Sequence, residues 1–414
     1  MINILNIFTF LLSISVSSLA ILSIVPKISL IVTLSLLATM SLNVFFNTSS
    51  MNGFNFNFVK EKYKVTNGFL FPFFSILPIF FWMIFKSFEE NTNITSNVNL
   101  FLMHFLFVFF ILFSLNDLKK YIKAYIILAF IMSTSGVLAN LLLIFDIVSP
   151  GSHYINLNDL TNGSFGRDRG MENSYVFPYF LGLILTGDGL FNIGGLNFYR
   201  ISGWAHEPTS ATLFIMPAAL LLIHSNIFKN KFLRFGMLIM IATFWTFSMA
   251  VGSIIALIFI YIFYIISTLY INYFPKKISI LTMLSILVLT MLVVFFSDFI
   301  VSASIFATKF GADSLTMQVA IKELTWFVPN ANTKSVYYLV HISLWVIIAI
   351  FLFVALKGIS TRKFVDVYSF ILLYIIVHTM KGSQEGVFTL LFVFFWLFCA
   401  YYLISESEKD VINN

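Results

Sequence analysis

Arg200, His206 and Glu207 bring acid–base and charged side chains within eight residues of one another, in the segment RISGWAHEPTSAT. His206 has an unperturbed pKa near neutrality, so a role as general base is chemically reasonable. Arg200 is permanently charged and can hold an anionic ligand. In a chain with so few charges, this spacing predicts a site rather than a solvated surface.

The element that must position these groups is the apolar run that follows, from Pro208 to His224. Pro208 fits the first turn of a helix, where its missing N–H costs nothing. Glu207 then lies near the N-cap, where a carboxylate is favoured by the helix dipole. A helix cap or an ion pair with Arg200 explains Glu207 equally well, and a structural hydrogen bond is the alternative for His206.

The composition predicts a polytopic membrane protein. Of the 414 residues, 59% are hydrophobic and 10% charged, with a mean hydropathy of +0.96. Such a chain cannot form the water-facing surface of a soluble domain. The single Cys399 excludes an intrachain disulfide.

Apolar runs of spanning length predict an all-α fold of about twelve transmembrane helices with two large external loops. The runs lie near 4–25, 28–46, 69–85, 100–115, 124–148, 208–224, 235–250, 251–273, 278–297, 339–356, 367–380 and 387–404. The chain then divides into helices 1–5 (1–148), a large loop (149–207), helices 6–9 (208–297), a second loop (298–338), and helices 10–12 with a cytoplasmic tail (339–414). Within the first loop, YVFPYFLGLILTG is apolar and broken by Gly and Pro, which predicts an interfacial or re-entrant segment.

Basic residues set the orientation. The sequences KEKYK, DLKKYIK, FKNKFLR, FPKK and KGISTRK fall in alternate loops. The excess of Lys and Arg in cytoplasmic loops then predicts that both termini are cytoplasmic and that loops 149–207 and 298–338 are external.

The motif at Arg200, Gly203, Glu207, Pro208 and Ala211 resembles that of the O-antigen polymerase family of polytopic bacterial inner-membrane proteins, which are related to O-antigen ligases. The dozen helices and two large external loops resemble the same family over nearly the whole chain.

The resemblance implies an activity at the periplasmic face. Family members transfer a growing glycan from undecaprenyl pyrophosphate to a sugar hydroxyl of another lipid-linked repeat unit. Arg200 would contact the pyrophosphate, and Gly203, Glu207 and Pro208 would form the turn that positions it. His206 or Glu207 would serve as base. The expected partners are the two lipid-linked oligosaccharides, membrane lipid and a chain-length regulator protein, with no metal, cofactor or nucleic acid.

Further cations in the first loop are Arg167 and Arg169, which add positive charge for a phosphate-bearing substrate. An ion pair with Asp168 or Glu172 is the alternative for both.

The second loop differs from the family pattern because residues 298–338 contain no Arg. Lys309 is our choice among its three lysines for a phosphate contact. The sequence HTMKGSQEG adds His378 and Lys381 in the turn before the last helix, and His378 resembles the late external His of the ligases. A satisfied histidine at a helix end is the alternative. We expect this turn, loop 149–207 and part of loop 298–338 to converge over one cavity.

Other functions remain open from the sequence. An O-antigen ligase would deliver glycan to a lipid A core sugar. A flippase for lipid-linked oligosaccharides or a secondary transporter would be expected to show internal repeats and charges at the membrane midplane. A structural or assembly membrane protein is the remaining alternative, which the concentration of Arg, His and Glu at one membrane face disfavours.

The predicted orientation can be tested with reporter fusions. A cytoplasm-active reporter should work at residue 276, and a periplasm-active reporter should work at residue 165, because only this register puts the five basic loops on one side. Activity of the opposite reporter at either position would show that the orientation is inverted.

Overall fold

The structure is a computed structural model of the chain. It describes residues 2–16, 19, 22, 27–48, 94–114, 117–148, 154–156, 174–176, 181–193, 195–205, 208–248, 257–258, 261, 265, 395, 398–399 and 402–403. The chain divides into two compact units: residues 3–32 with 119–262 form the first, and residues 33–118 with 263–414 the second.

The helices of the described residues are α1 (Ile2–Ser15), α2 (Ile28–Thr48), α3 (Ile94–Phe113), α4 (Leu118–Ile144), α5 (Pro208–His224) and α6 (Lys231–Ser248). An antiparallel sheet lies between α4 and α5 in the chain, with strands β1 (Tyr154–Asn156), β2 (Ser174–Val176), β3 (Leu183–Ile193) and β4 (Leu196–Gly203), in the order β1-β2-β3-β4. The sheet, α1, α4, α5 and α6 belong to the first unit, and α3 with most of α2 to the second.

Helix α4 is apolar around its whole circumference. Met132 and Tyr125 are buried on one side, whereas Ile127, Ile131 and Leu138 are exposed on the other. A helix that is apolar all round is typical of a membrane span or a fully buried core. By length and composition, α4 is the one helix among the described residues that is long and apolar enough to cross a membrane.

A Schellman motif ends α4. The amide of Ile147 donates to the carbonyl of Leu142 at 2.9 Å, and that of Asp146 to the carbonyl of Leu143 at 3.1 Å, which is the hydrogen-bond pattern of this cap. Asp146 takes the left-handed position with a φ of 53°, a conformation that Asp tolerates better than most residues. Asp146 is exposed, so it closes the helix instead of serving as a buried acid.

Seven Ser and Thr hydroxyls of the first unit are satisfied by carbonyls of their own helices. Each donates to the carbonyl four residues earlier at 2.6–2.9 Å, an arrangement that needs no water. The pattern holds for Ser13, Ser133, Thr134, Thr212, Ser225, Thr243 and Thr246.

Pro217 lies inside α5, and a side chain of α4 bonds to the turn that precedes it. Proline has no N–H to donate and disturbs the preceding turn of the helix. Tyr125 of α4 donates its hydroxyl to the carbonyl of Phe214, within that preceding turn. The two rings also meet edge to face, with centroids 5.5 Å apart. Tyr125 therefore links α4 to α5, through a hydrogen bond and a ring contact, in the turn that precedes Pro217.

Phe244 of α6 is packed directly against the backbone of α4. Its ring is fully buried, and a Cβ added to Gly136 would lie 2.5 Å from the Cε2 atom of Phe244. That distance is far inside van der Waals contact, so only glycine allows α4 and α6 to approach this closely. Gly136 thus sets the separation of the two helices.

The second unit contains aromatic contacts on and around α3. Phe105 and Phe109, one turn apart, have ring centroids separated by 4.5 Å. Phe107 meets Phe398 edge to face at 6.5 Å. Cys399, next in the chain, is a buried free thiol, in agreement with its place in an apolar run.

Two features differ from the sequence-based expectation. The four-stranded sheet was not predicted, because the all-α reading treated YVFPYFLGLILTG as an interfacial or re-entrant segment, whereas β2 and β3 occupy parts of it. Helix α1 was predicted to extend to residue 25 but ends at Ser15, and Leu19 instead forms an antiparallel bridge to Ala205. The spans predicted at 69–85 and from 278 to 380 lie outside the described residues, so the count of twelve stays a prediction.

Replacing Gly136 by alanine should lower the free energy of unfolding by about 1–3 kcal/mol, because the new methyl group overlaps the Phe244 ring. Gly236→Ala is the matched control, since Gly236 is an exposed position of α6 with no atom within 4 Å of an added Cβ. That change should be neutral or raise stability by up to about 1 kcal/mol through helix propensity. Thermal denaturation of both purified variants checks the difference, and equal midpoints would contradict it.

Candidate functional site

Arg200 is carried by β4, the edge strand of the sheet. It pairs with Leu185 of β3, and the preceding residue, Tyr199, pairs with Leu190. The register therefore shifts between these two positions, where the sequence TGDG of β3 is left over as a bulge. Bulges of this kind re-aim side chains and are common beside active sites. Arg200 lies at the most irregular point of the hairpin.

A tight turn follows Arg200 and contains Gly203. The amide of Ala205 donates to the carbonyl of Ser202 at 3.1 Å, and Gly203 has a φ of 58°. A left-handed φ at the first central residue is the feature of a type II′ turn, which strongly favours glycine there. The indole N–H of Trp204 donates to the carbonyl of Leu181 at 3.2 Å, which ties the turn back to the start of β3.

Gly203 is also confined by its neighbours. An added Cβ would lie 3.1 Å from the Met132 methyl group and 3.2 Å from the Phe244 ring. On the sheet side, Gly182 approaches the backbone of Gly203 so closely that a Cβ on Gly182 would lie 3.2 Å from its Cα. The glycine of the motif is thus required both by its backbone conformation and by close packing.

Helix α5 begins at Pro208, which confirms the predicted helix from Pro208 to His224. The hydroxyl of Thr212 donates to the carbonyl of Pro208 at 2.9 Å, and Ala211 is fully buried in the same turn. The motif residues that the structure describes therefore form one continuous unit: strand, turn and first helical turn.

Strand β4 packs on α5 and α6, and its last residues also approach α4. Gly203 lies beside Met132, and the Cδ1 atom of Ile201 lies 3.6 Å from where a Gly136 Cβ would be. From Met132 to Ile144, α4 rises about 18 Å at 1.5 Å per residue. Arg200 is three strand residues, or about 10 Å, from Gly203. Projected along α4, Arg200 would therefore lie about 8 Å before the end of that helix.

Tyr199 is a neutral phenol near neutral pH, and its surroundings favour that form further. Burial raises the pKa of the Tyr199 hydroxyl above its ordinary value, and the negative charge of Asp146 raises it further. Near neutral pH the phenol is therefore a hydrogen-bond donor and not a base. The Arg200 side chain is half-buried, and its Nε atom is enclosed. A permanent cation and a neutral donor thus occupy consecutive positions of the strand.

Asn140 is a residue that the sequence analysis missed. Its side chain is fully buried, and neither its amide oxygen nor its amide nitrogen has a hydrogen-bond partner. It lies one turn beyond Gly136 and two beyond Met132, so it continues the row of α4 to which those two residues belong. Four helix residues rise about 6 Å and two strand residues about 7 Å, so the strand projected beyond Ile201 would bring Tyr199 to about the height of Asn140.

A buried amide without partners is costly and unusual. Ser133, Thr134 and Ser135 of the same helix avoid this cost by bonding to backbone carbonyls of α4, which the Asn140 amide does not do. The sequence offered one signal: Asn140 interrupts the apolar run of α4 close to its C-terminal end. A polar residue inside a spanning run is a candidate site residue.

Of the predicted site residues, the structure describes Arg200 and Gly203, and it brings them together in one strand and turn. The others lie outside the described residues: Arg167, Arg169, His206, Glu207, Lys309, His378 and Lys381. The predicted convergence of three external segments over one cavity therefore stays a prediction. Within the described part of the chain, His, Cys, Asp and Glu form no group of three that would suit a metal ion.

Comparison with known proteins yields no matching family model, no matching curated protein and no matching solved structure.

Asn140→Leu should leave the free energy of unfolding unchanged or raise it by about 1–2 kcal/mol, because it replaces a desolvated amide by an apolar group of similar size. Thr134→Val is the matched control on the opposite side of α4, where the hydroxyl already bonds to the Phe130 carbonyl. That change should be neutral or mildly destabilising. Thermal denaturation of the purified variants checks the prediction. A marked loss of stability in Asn140→Leu alone would assign Asn140 a structural hydrogen bond.

Proposed function

We propose that this chain is an O-antigen polymerase of the bacterial inner membrane. It transfers a growing glycan from undecaprenyl pyrophosphate to the sugar hydroxyl of another lipid-linked repeat unit at the periplasmic face. The proposed molecule is multi-pass, with both termini cytoplasmic, and uses no metal or cofactor.

A membrane location is supported by the outer faces of the helices. Large apolar side chains are exposed on α1, α2, α4 and α6, where a water-soluble protein would carry polar groups. Internal bonding of the helix hydroxyls agrees with surroundings that supply no water. The exposed positions include Ile4, Phe8, Leu34, Ile131, Phe235 and Ile239.

The proposed chemistry is supported by the depth of Arg200, estimated by projecting β4 along α4 from the approach of Gly203 to Met132. With 27 residues, α4 is about 40 Å long, compared with about 30 Å for the hydrocarbon layer. A centred helix would extend about 5 Å beyond each side. Arg200, about 8 Å before the external end, would then lie close to the boundary between hydrocarbon and headgroups. The pyrophosphate of a lipid-linked donor is expected at that depth.

In the proposed reaction, a hydroxyl oxygen of the acceptor sugar attacks the anomeric carbon of the donor glycan. A new glycosidic bond forms as the bond from that carbon to the pyrophosphate oxygen breaks. The lipid pyrophosphate leaves with the bonding electrons, and its growing negative charge is stabilised by bidentate hydrogen bonds from Arg200. The hydroxyl proton passes to a base, for which His206, Glu207 and His378 are the candidates.

Tyr199 and Asn140 suit recognition of the glycan. A neutral phenol donates a hydrogen bond, and a side-chain amide both donates and accepts, so the two groups match sugar hydroxyls. We infer that Asn140 is retained because the bound glycan supplies the partners that the folded protein lacks. Asn140 is fully buried, so contact with a sugar requires local separation of β4 from α4. The position of β4 at the sheet edge favours such a movement.

Arg200→Ala should reduce polymerisation of a lipid-linked repeat unit by on the order of 100-fold, because the leaving pyrophosphate loses its cation. Arg200→Lys should recover part of the activity, since lysine restores the charge but not the two-point contact. The measurement is the ladder of chain lengths formed by purified protein in liposomes. Leu196→Ala, at an exposed position of the same strand, is the control and should retain full activity. A wild-type ladder from Arg200→Ala would contradict the proposal.

The lipopolysaccharide of a strain that lacks this protein separates the polymerase from its alternatives. A single repeat unit on the lipid A core indicates loss of a polymerase. Complete absence of the repeat unit indicates loss of a ligase or of a flippase.

A further inference from the structure

The end of the first unit opposite to Arg200 carries a basic surface, which comprises Lys123 of α4, Lys229 of the α5–α6 connection, and Lys231 and Phe232 of α6. All four side chains are exposed, and Phe232 is 90% exposed. The N-terminal turn of α4 adds the exposed Lys119 and Lys120 beside them. Neither 118–145 nor 208–248 contains an Asp or a Glu, and the acid nearest to these lysines in the sequence is Asp117, directly before α4.

The basic surface is assembled from two elements that are far apart in the sequence. The Nζ atom of Lys123 lies 5.3 Å from the centroid of the Phe228 ring, within the range of a cation–π contact. Phe228 and its neighbour Ile227 are buried, which anchors the connection against the unit. Lys123 therefore lies beside Lys229 and not on a separate face.

The connection is also held rigidly. Arg234 donates through Nε and Nη2 to the carbonyl of Leu222 at 3.0 and 2.7 Å, and through Nη2 to that of Ile223 at 3.2 Å. These are carbonyls of the last turn of α5, so Arg234 caps that helix. Asn230 caps the following helix by accepting from the amides of Phe232 and Leu233. Both ends of the connection are fixed, which fixes the positions of Lys229 and Lys231.

We propose that the basic surface binds the headgroup of an anionic phospholipid, with Phe232 inserted among the adjacent acyl chains. The charge matches a lipid phosphate, and a basic cluster where a spanning helix leaves the membrane is a typical site for such lipids. Phe232 begins an exposed apolar stripe that continues through Phe235 and Ile239 along α6. The cations thus sit where an apolar, lipid-facing surface ends, as a headgroup requires. The inference rests on the proposed membrane location and not on the proposed chemistry.

The test uses the full chain in nanodiscs that contain equal amounts of phosphatidylglycerol and phosphatidylcholine with the same acyl chains. Native mass spectrometry measures which lipid is retained on the released protein. The wild type should retain phosphatidylglycerol about tenfold in preference. The triple variant Lys123→Gln, Lys229→Gln, Lys231→Gln should fall close to parity. A second triple variant, Lys60→Gln, Lys62→Gln, Lys64→Gln, removes the same charge from another predicted cytoplasmic loop and should keep the preference.

Phe232→Ser distinguishes a lipid from a free phosphate. This variant should weaken retention of phosphatidylglycerol several-fold while leaving binding of soluble glycerol phosphate unchanged, because only the lipid has acyl chains for Phe232 to contact. Since Phe232 is exposed, the substitution should not impair folding. Equal binding of glycerol phosphate and lipid by the wild type would overturn the proposal.

Two further results would also overturn it: an unchanged preference in the Lys123, Lys229 and Lys231 triple variant, or an equal loss in the control triple variant. If the wild type does not incorporate into nanodiscs at all, the membrane location itself is wrong. Incorporation without any preference for phosphatidylglycerol would refute the lipid site alone.

Discussion

The ring of Phe244, packed between two glycines, is the contact on which the first unit depends. One of these glycines, Gly136, belongs to α4, and the other, Gly203, belongs to the turn after β4. A side chain at either position would push the ring away, so α4, α6 and the turn share one steric constraint. Arg200 lies three residues before Gly203 in the same strand. The position of Arg200 therefore depends on how closely the backbones of α4 and of the turn can approach the Phe244 ring of α6.

A second constraint is that polar groups must be satisfied without water. Hydroxyl side chains meet it by bonding to their own helices, Arg234 meets it by capping α5, and Tyr125 meets it by supplying a donor next to Pro217. Among the described residues, the Asn140 amide and the indole N–H of Trp245 are buried exceptions. A short hydroxyl can fold back onto its helix, but in this structure the Asn140 amide does not. Under the proposed function, a bound glycan would supply the hydrogen bonds that Asn140 lacks.

The two ends of the first unit have different electrostatic characters. A half-buried cation at Arg200 and a protonated phenol at Tyr199 occupy consecutive positions of β4, where side chains alternate between the two faces of the strand. The cation suits a leaving pyrophosphate and the phenol suits a sugar. Around the beginning of α4, exposed lysines surround a protruding Phe232, a suitable surface for lipid headgroups. If both ends of the first unit contact phosphate-bearing lipids, the two ends need different kinds of cation. An enclosed cation serves the chemistry at one end, and exposed cations bind the headgroups at the other.

The sequence by itself determined the features that depend on neighbouring residues. Pro208 marks the start of α5 because its missing N–H is tolerated only in a first turn, and the apolar runs correspond to helices at α2, α4, α5 and α6 because their length and composition are local properties. Gly203 was recognisable from the motif, although the reason for a glycine there was not.

Only the tertiary structure decided the rest. The pairing of β3 with β4, the shift in register at Arg200 and the bridge from Leu19 to Ala205 join residues distant in the chain, so no local pattern specifies them. The elements that pack against α4 are likewise a property of the folded molecule. They decide whether the Asn140 amide has a hydrogen-bond partner, and which atoms a side chain at Gly136 would overlap.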